Sequence, residues 1–277
     1  LGKNYRLLGG KEIMAMTNRW AIREVGIASF FDTVTGELKV KLDTLKMSGL
    51  DNTSAVVYAS GSRGNPKLVG FSGSRAAKFT LQDALFTNDM IGMLTGNEVV
   101  TGAASIIKDD VLTVANDTAT LSLTPSETGA LLSVNKLNAD GTKGDKLTFV
   151  ATAPTANQYS VTGKTLTFAS DALADGSKVQ VYYYTESGEE TKQIRVSADK
   201  FAGSYKLVLD VLVRDAYTKK DFAAQIVVPN AKIEDTWKLE MKPDGDPSVL
   251  DIPMEALKPS NSADLFTMNI YDEADLA

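Results

Sequence analysis

From residue 199 to residue 259 the chain sets apolar runs between turn-forming breaks at a spacing that suits an antiparallel sheet. Residues 205–213 alternate loosely between apolar and polar side chains. A polar segment at 215–221 reverses the chain, and 222–228 returns as a second apolar run that Pro229 is expected to stop. Residues 237–241 alternate again until PDGDP breaks the pattern. Nothing in the stretch is arranged for chemistry.

The rest of the chain supports that reading by what it lacks. It has no cysteine, which removes disulfides, thiolate nucleophiles and zinc–thiolate sites. It has no histidine, which removes imidazole bases, imidazole metal ligands and the Ser-His-Asp arrangement. Carboxylate or lysine chemistry is not removed, and the chain is read as a non-enzyme with no cofactor and no metal. The formal net charge of −6 argues against a groove-type nucleic-acid binder, which is usually basic. No apolar run approaches the roughly 20 residues of a membrane helix. No signal peptide is read at Leu1, and the missing initiator Met leaves a processed N-terminus and a trimmed start both open.

Residues 1–24 form a basic arm containing Arg6, Lys11, Arg19 and Trp20. Met14, Met16, Trp20 and Ile22 make it too apolar for a free tail, so it is expected to dock on a neighbouring subunit. A strand at 25–31 follows, then a second in which Leu38, Val40 and Leu42 alternate with charged residues. A strand is expected at 53–59 and a loop tip at SGSRGNP, residues 60–66. Strands resume at 68–71 and 76–81. The link from 42 to 66 is polar and long, and Asp51, Asn52, Arg63 and Asn65 are its candidate functional residues. Neither SGSRGNP nor GFSGSR has the Lys-Ser/Thr of a P-loop or the glycine spacing of a dinucleotide site. The best helix is 87–94, with Thr87 as its cap, a stripe of Met90, Ile91 and Leu94, and Gly96 as its stop.

From 97 to 190 the texture changes to short strands rich in Thr, Ser, Ala and Gly, expected at 119–123, 130–137, 146–151, 165–168 and 178–185. Turns are expected at 138–141 and at Asp175-Gly176. This reads as a small inserted β-sandwich. Val179, Val181 and Tyr183 face one way, Tyr182 and Tyr184 the other, as a packed strand or as a carbohydrate or base platform. NADGTKGD lacks the Asp/Asn repeat and terminal Glu of a calcium loop. Residues 233–277 hold three lysines against eleven Asp and Glu, read as a solvated face with a free tail or as an acidic wall. Asp244 and Asp246 share one turn, which does not give the facing carboxyls of a glycosidase.

Three blocks carry a family resemblance: TSAVVYASGSRGNPKLVGFSGSRAAKFTLQDAL, then SVNKLNADGTKGDKLTF with KTLTFASDALADGSKVQVYYY, then ADKFAGSYKLVLDVLVRDAYTKKDFAAQIVVPNAKI with GDPSVLDIPMEALKP. Together they resemble the major tail tube protein of tailed bacteriophages, in its large form with an added β-rich region. The resemblance implies a mainly β fold: an antiparallel β-sandwich or barrel of the tail-tube type with a flanking helix, plus an inserted small β domain. On it, 1–24 is an N-terminal arm, 25–96 with 191–277 the tube-like domain, and 97–190 the insert, Ig-like in type. It further implies a virion tail protein, assembled in the host cytoplasm as stacked hexameric rings that conduct double-stranded DNA without binding it specifically. Its partners are copies of itself, a sheath or terminator, a baseplate or tip initiator, and the tape measure, with no membrane. The link at 42–66 matches the loop that reaches the next ring. The alternative is a capsid-decoration or surface-adhesin module that uses Tyr182 to Tyr184 to bind glycan or cell wall.

Overall fold

The alternating run at 205–213 becomes the strand Ser204–Asp215, with Leu207, Leu209, Val211 and Val213 buried. It is central to the larger of two units, Leu1–Val99 with Ile194–Ala277 and Val100–Gln193, in a computed structural model. The structure describes residues 5–8, 11–14, 16–22, 24–239, 243 and 248–276, with the backbone alone for 5–8, 11–14 and 275.

The first unit opens with the hairpin β1 (Tyr5–Leu8) and β2 (Lys11–Met14), then β3 (Trp20–Ile22), β4 (Ile27–Asp32), β5 (Leu38–Leu42), β6 (Leu45–Ser60), β7 (Lys67–Asp83) and α1 (Asn88–Thr95). The second unit follows with β8 (Val100–Thr101), β9 (Ser105–Thr113), β10 (Thr118–Thr120), β11 (Ser133–Leu137), β12 (Lys143–Lys146), β13 (Thr148–Phe149), β14 (Gln158–Thr162), β15 (Thr165–Phe168), β16 (Lys178–Glu186) and β17 (Lys192–Gln193). The chain then re-enters the first unit for β18 (Ser204–Asp215), β19 (Asp221–Ile233), β20 (Leu250–Ala256) and β21 (Thr267–Tyr271).

The main sheet runs β5-β4-β18-β19-β20-β7-β6, with β3 also on β18 and β21 also on β19. β18 changes neighbour along its length, from β4 at 205–210 to β3 at 213–215. β19 changes from β21 at 223–227 to β20 at 231–233. Pro229 lies between those two stretches and does not stop the strand. A register shift there sets Pro229 and Asn230 against Lys206, so the missing N–H falls where the ladder is already interrupted.

Pro253, inside β20, is accommodated in a similar way. Its carbonyl accepts from the N–H of Glu234, just beyond the end of β19. A residue's N–H and C=O point to the same side of a strand, so its missing donor faces the place where β19 has ended. Two stretches of the acidic C-terminal region are thus sheet, β20 and β21, and in β20 Leu250, Ile252, Met254 and Ala256 are all buried. The strand expected at 237–241 is absent at 237–239, which is irregular, and 240 and 241 lie outside the described residues. So do Asp244 and Asp246.

One core cluster joins β4, β5, β7, β18, β19, β20 and α1, with Phe30, Phe79, Leu81, Met90, Leu207 and Ile252 all fully enclosed. The helix forms as its sequence requires. The Thr87 hydroxyl accepts from the N–H of Met90 at 3.2 Å, and Gly96 ends it with φ +66°. A Cβ on Gly96 would lie 2.3 Å from the Phe201 carbonyl oxygen, so only glycine fits. The buried helix face is Met90, Met93 and Leu94, with Ile91 only partly covered.

The second unit is a sandwich of two four-stranded sheets, β10-β15-β14-β13 and β12-β11-β16-β9, around a separate core that includes Val134, Tyr159, Leu166, Val179, Val181 and Tyr183. All pairings are antiparallel except β13 with β14. β9 and β14 were not expected from sequence, and the run at 146–151 divides between β12 and β13. Asp110 pins the layers together. It accepts from the Ser122 backbone N–H, the Ser122 hydroxyl and the Tyr183 hydroxyl, each at 2.8 Å. Burial pushes the Asp110 carboxyl up, but these donors and nearby Lys108 more than reverse it, leaving it below the usual carboxylate range.

Candidate functional site

The link at 42–66 is mostly β6: the strand expected at 53–59 is its outer part, and the polar stretch before it, expected to be loop, is strand as well. Strands β6 and β7 pair almost continuously from Leu45–Asp83 at the root to Ser60–Lys67 at the tip. The two pieces expected at 68–71 and 76–81 are parts of the single strand β7. β7 has a second neighbour, β20, only over 78–83. From Thr53 and Ala76 outward, no other strand of the chain flanks the ribbon among the described residues. At about 3.4 Å per residue this free section projects roughly 25–30 Å.

Its root is fixed. Asp83 is buried and accepts from the Thr44 hydroxyl, and the Gln82 side-chain amide donates to Asp251 at 2.7 Å. Its tip is a tight turn at 61–66, where Gly61 donates to the Pro66 carbonyl and Asn65 to the Ser62 carbonyl. Ser62, Gly64 and Asn65 all take positive φ there.

Between root and tip the ribbon is apolar on both faces. Val57 pairs with Phe71 and Ala59 with Val69, and Val56 and Tyr58 occupy the alternate face. None is buried: Val57 is 67% exposed, Phe71 61% and Val69 52%. Gly70 lets the Tyr58 ring lie over the backbone, since a Cβ there would sit 3.2 Å from it. The Lys67 ammonium lies over that ring, its Nζ 4.0 Å from the centroid. A two-stranded ribbon is marginal alone in water, and an apolar one gains by being covered.

A second surface element is the segment before β4. β3 pairs with the end of β18, setting Trp20 against Asp215 and Ile22 against Val213. Met16 packs on the core. Asp215 is fully buried and organises this corner by accepting from the backbone N–H groups of Thr17, Tyr217 and Thr218. Burial raises the Asp215 carboxyl, and the bonds from Thr218, Thr17 and Tyr217 outweigh it, so the group is held far below its ordinary value.

The family model described as the YomU/Tube protein family matches residues 20–268, which take in both units. The chain belongs to the YomU/Tube protein family. This is a phage tail tube family, and membership makes the chain a structural protein of the virion tail, consistent with a protein that is not an enzyme. No curated protein matches the chain. The mainly β, antiparallel fold with one flanking helix and an inserted β domain is the fold expected of such a tube protein.

Within this YomU/Tube chain the candidate residues separate. Arg63 and Asn65 are at the exposed tip of the ribbon. Asp51 and Asn52 are not in a loop: they lie in β6, paired with Lys78 and Ala77 near the root. Asn52 also lines a cleft there with Arg75, Lys258, Asp264 and Phe266. Arg19 and Trp20 are tied to their own sheet, the Arg19 carbonyl accepting from Ala216 at 2.8 Å, while the Trp20 side chain stays 41% exposed. Arg6 and Lys11 stand on β1 and β2, and their side chains lie outside the described residues. Sequence reasoning passed over Val57, Val69 and Phe71, which stand in plain view as an apolar run on both sides of SGSRGNP.

Proposed function

We propose that the chain is the repeating subunit of a hollow tail tube, closing into hexameric rings that stack and conduct DNA without binding it specifically. The observation that carries the proposal is the β6–β7 ribbon: rigid at its root, extended, and apolar on both faces with no flanking strand from its own chain among the described residues. A copy in the adjoining ring supplies that cover. The main sheet also ends in β5 and β6, whose outer edges suit strand-by-strand extension by neighbours around a ring. The net negative charge suits a bore through which phosphate must slide. The basic N-terminal segment and the acidic C-terminal region favour contact between subunits. Tape measure, sheath or terminator, and the tip or baseplate initiator are the other partners in this reading, with assembly in the host cytoplasm.

The test is negative-stain electron microscopy of the purified protein across a concentration series, beside a chain whose ribbon is shortened. Thr53 and Ala76 face each other, so an Asn-Gly turn can join them without disturbing the root. Tubes with a central channel are expected from the parent, and folded subunits or single rings from the shortened chain. Tubes of normal length from the shortened chain overturn the role of the ribbon. Solid or non-annular assemblies from the parent overturn the tube.

A further inference from the structure

We propose that the outward face of the β12-β11-β16-β9 sheet is a binding platform for a neutral glycan. The inference stands on the second unit alone and does not rest on the tube reading.

β16 is strictly two-sided. Val179, Val181 and Tyr183 are fully enclosed, while Gln180, Tyr182 and Tyr184 turn to the opposite face and stay partly open. Register then fixes their neighbours. Ile107 is across from Tyr184, Asp109 from Tyr182 and Val111 from Gln180 on one flank. Ser133 is across from Tyr182 and Asn135 from Gln180 on the other, with Lys146 beyond Asn135.

The face therefore offers two tyrosine rings about 7 Å apart along the strand. They are bordered by aliphatic groups that are more than half exposed, Ile107 at 55% and Val111 at 54%. Hydrogen-bonding groups are set between the apolar ones, and they are positioned. The Gln180 side-chain amide donates to the Tyr182 hydroxyl at 2.9 Å and reaches the Asp109 carboxylate at 3.3 Å.

Asn135 is the observation that points to a ligand. Only 3% of it is exposed. Its Nδ2 donates to the Ser133 hydroxyl at 2.9 Å, and its Oδ1 has no partner among the described residues. Turning the amide over moves the orphan to the other atom without removing it. A buried acceptor without a donor is costly, and a face that served packing alone gains by an apolar residue there. A donor supplied from outside relieves the cost once the side chains over Asn135 move aside.

A pyranose ring matches this arrangement. Its C–H face packs on an aromatic ring by dispersion, and its hydroxyls both donate and accept, so they serve Asn135, Asp109 and Gln180 together. Asp109 and Lys146 put opposite charges on the two flanks, which favours an uncharged sugar over an acidic polymer.

The experiment is calorimetric titration of the full chain with neutral tetrasaccharides of glucose, galactose, mannose and N-acetylglucosamine, and with tetragalacturonate as the acidic counterpart. Binding of at least one neutral probe is expected, weakened about tenfold or more by Tyr182→Ala or Tyr184→Ala. Asn135→Leu separates site from scaffold: it is expected to lose binding while the melting temperature holds or rises. The proposal is overturned if no neutral probe binds at about 10 mM, beyond the weak end of recognition. It is also overturned if the tyrosine variants bind like the parent, if only the acidic probe binds, or if Asn135→Leu unfolds the unit. Protection of this face by a neighbouring subunit in assembled tubes, read by hydrogen exchange, overturns it as well.

Discussion

The hairpins β18–β19 and β6–β7 belong to one unit, are of similar length and are both rich in Val, Leu and aromatic residues. In β18–β19 the apolar side chains that reach the core fall on every second residue, from Leu207 to Val213 and from Phe222 to Val228. In the ribbon, Ala55 to Ala59 is apolar at five consecutive positions and none of them is buried. The difference is one of neighbours. β18–β19 is flanked by β3, β4, β20 and β21, whereas the outer ribbon is flanked by nothing from its own chain among the described residues. Period two marks burial on one side within the chain; a run without period on an unsheltered ribbon leaves apolar surface that gains by being covered.

Leu209→Ala tests the body of that comparison and carries the largest expected effect. Leu209 is tightly held, since a Cβ on Gly26 would approach its Cδ1 to 2.7 Å, so the site cannot collapse easily. A loss of about 2–5 kcal/mol is expected from the denaturant midpoint. Asp110→Asn probes the second core, where it weakens the bonds to Ser122 and Tyr183. A loss of about 1–3 kcal/mol is expected in the transition of that unit, followed by the fluorescence of its tyrosines. Thr87→Ala removes the cap of the helix on the buried side and is expected to cost about 1 kcal/mol.

Phe71→Ser belongs to the other hairpin and should change subunit stability by no more than about 0.5 kcal/mol while abolishing tubes in the microscope. If it costs as much as Leu209→Ala, the ribbon is sheltered by its own chain and the comparison fails.

The corner at Asp215 adds a pH arm. Its folded pKa is depressed, so its contribution is fully present above the unfolded carboxylate value and is lost only as pH falls through the much lower folded one. The segment at 16–22 should therefore stay in place at pH 4. Asp215→Asn should loosen it at neutral pH, seen as faster tryptic cleavage after Arg19.

The body of the fold was legible because burial writes itself as alternation. Val40 and Leu42, the β18–β19 pair and β16 all carry that signal, although Leu38 keeps the alternation and stays exposed, and Thr87 and Gly96 bracket the helix. The ribbon was not legible as strand near its root, because Asp51 and Asn52 have no core face to alternate against and so look like a loop, whereas the strand expected from Thr53 onward is there. β20 was hidden by Pro253 and by the acidic composition around it, although Leu250, Ile252, Met254 and Ala256 keep period two throughout. Pro229 misled for the same reason: a proline ends a strand only where its N–H is due in the ladder. The ribbon's polar residues, Asp51, Asn52, Arg63 and Asn65, drew notice as loop chemistry, whereas its apolar ones resembled ordinary core.

The two ends of the second unit close on each other. β8 pairs with β17, Gly102 donates to the Thr191 carbonyl at 3.0 Å, and Lys192 donates to the Thr101 hydroxyl at 2.8 Å. Just before and after, the Asn97 side-chain amide donates to the Arg195 carbonyl at 3.2 Å. The chain thus leaves and re-enters the host fold at nearly the same point, and closing a loop costs only slowly more as the loop lengthens. In genetic terms this is a docking port: a lineage can lose the guest, trade it for another fold, or accumulate change in it without retuning the machine that carries it.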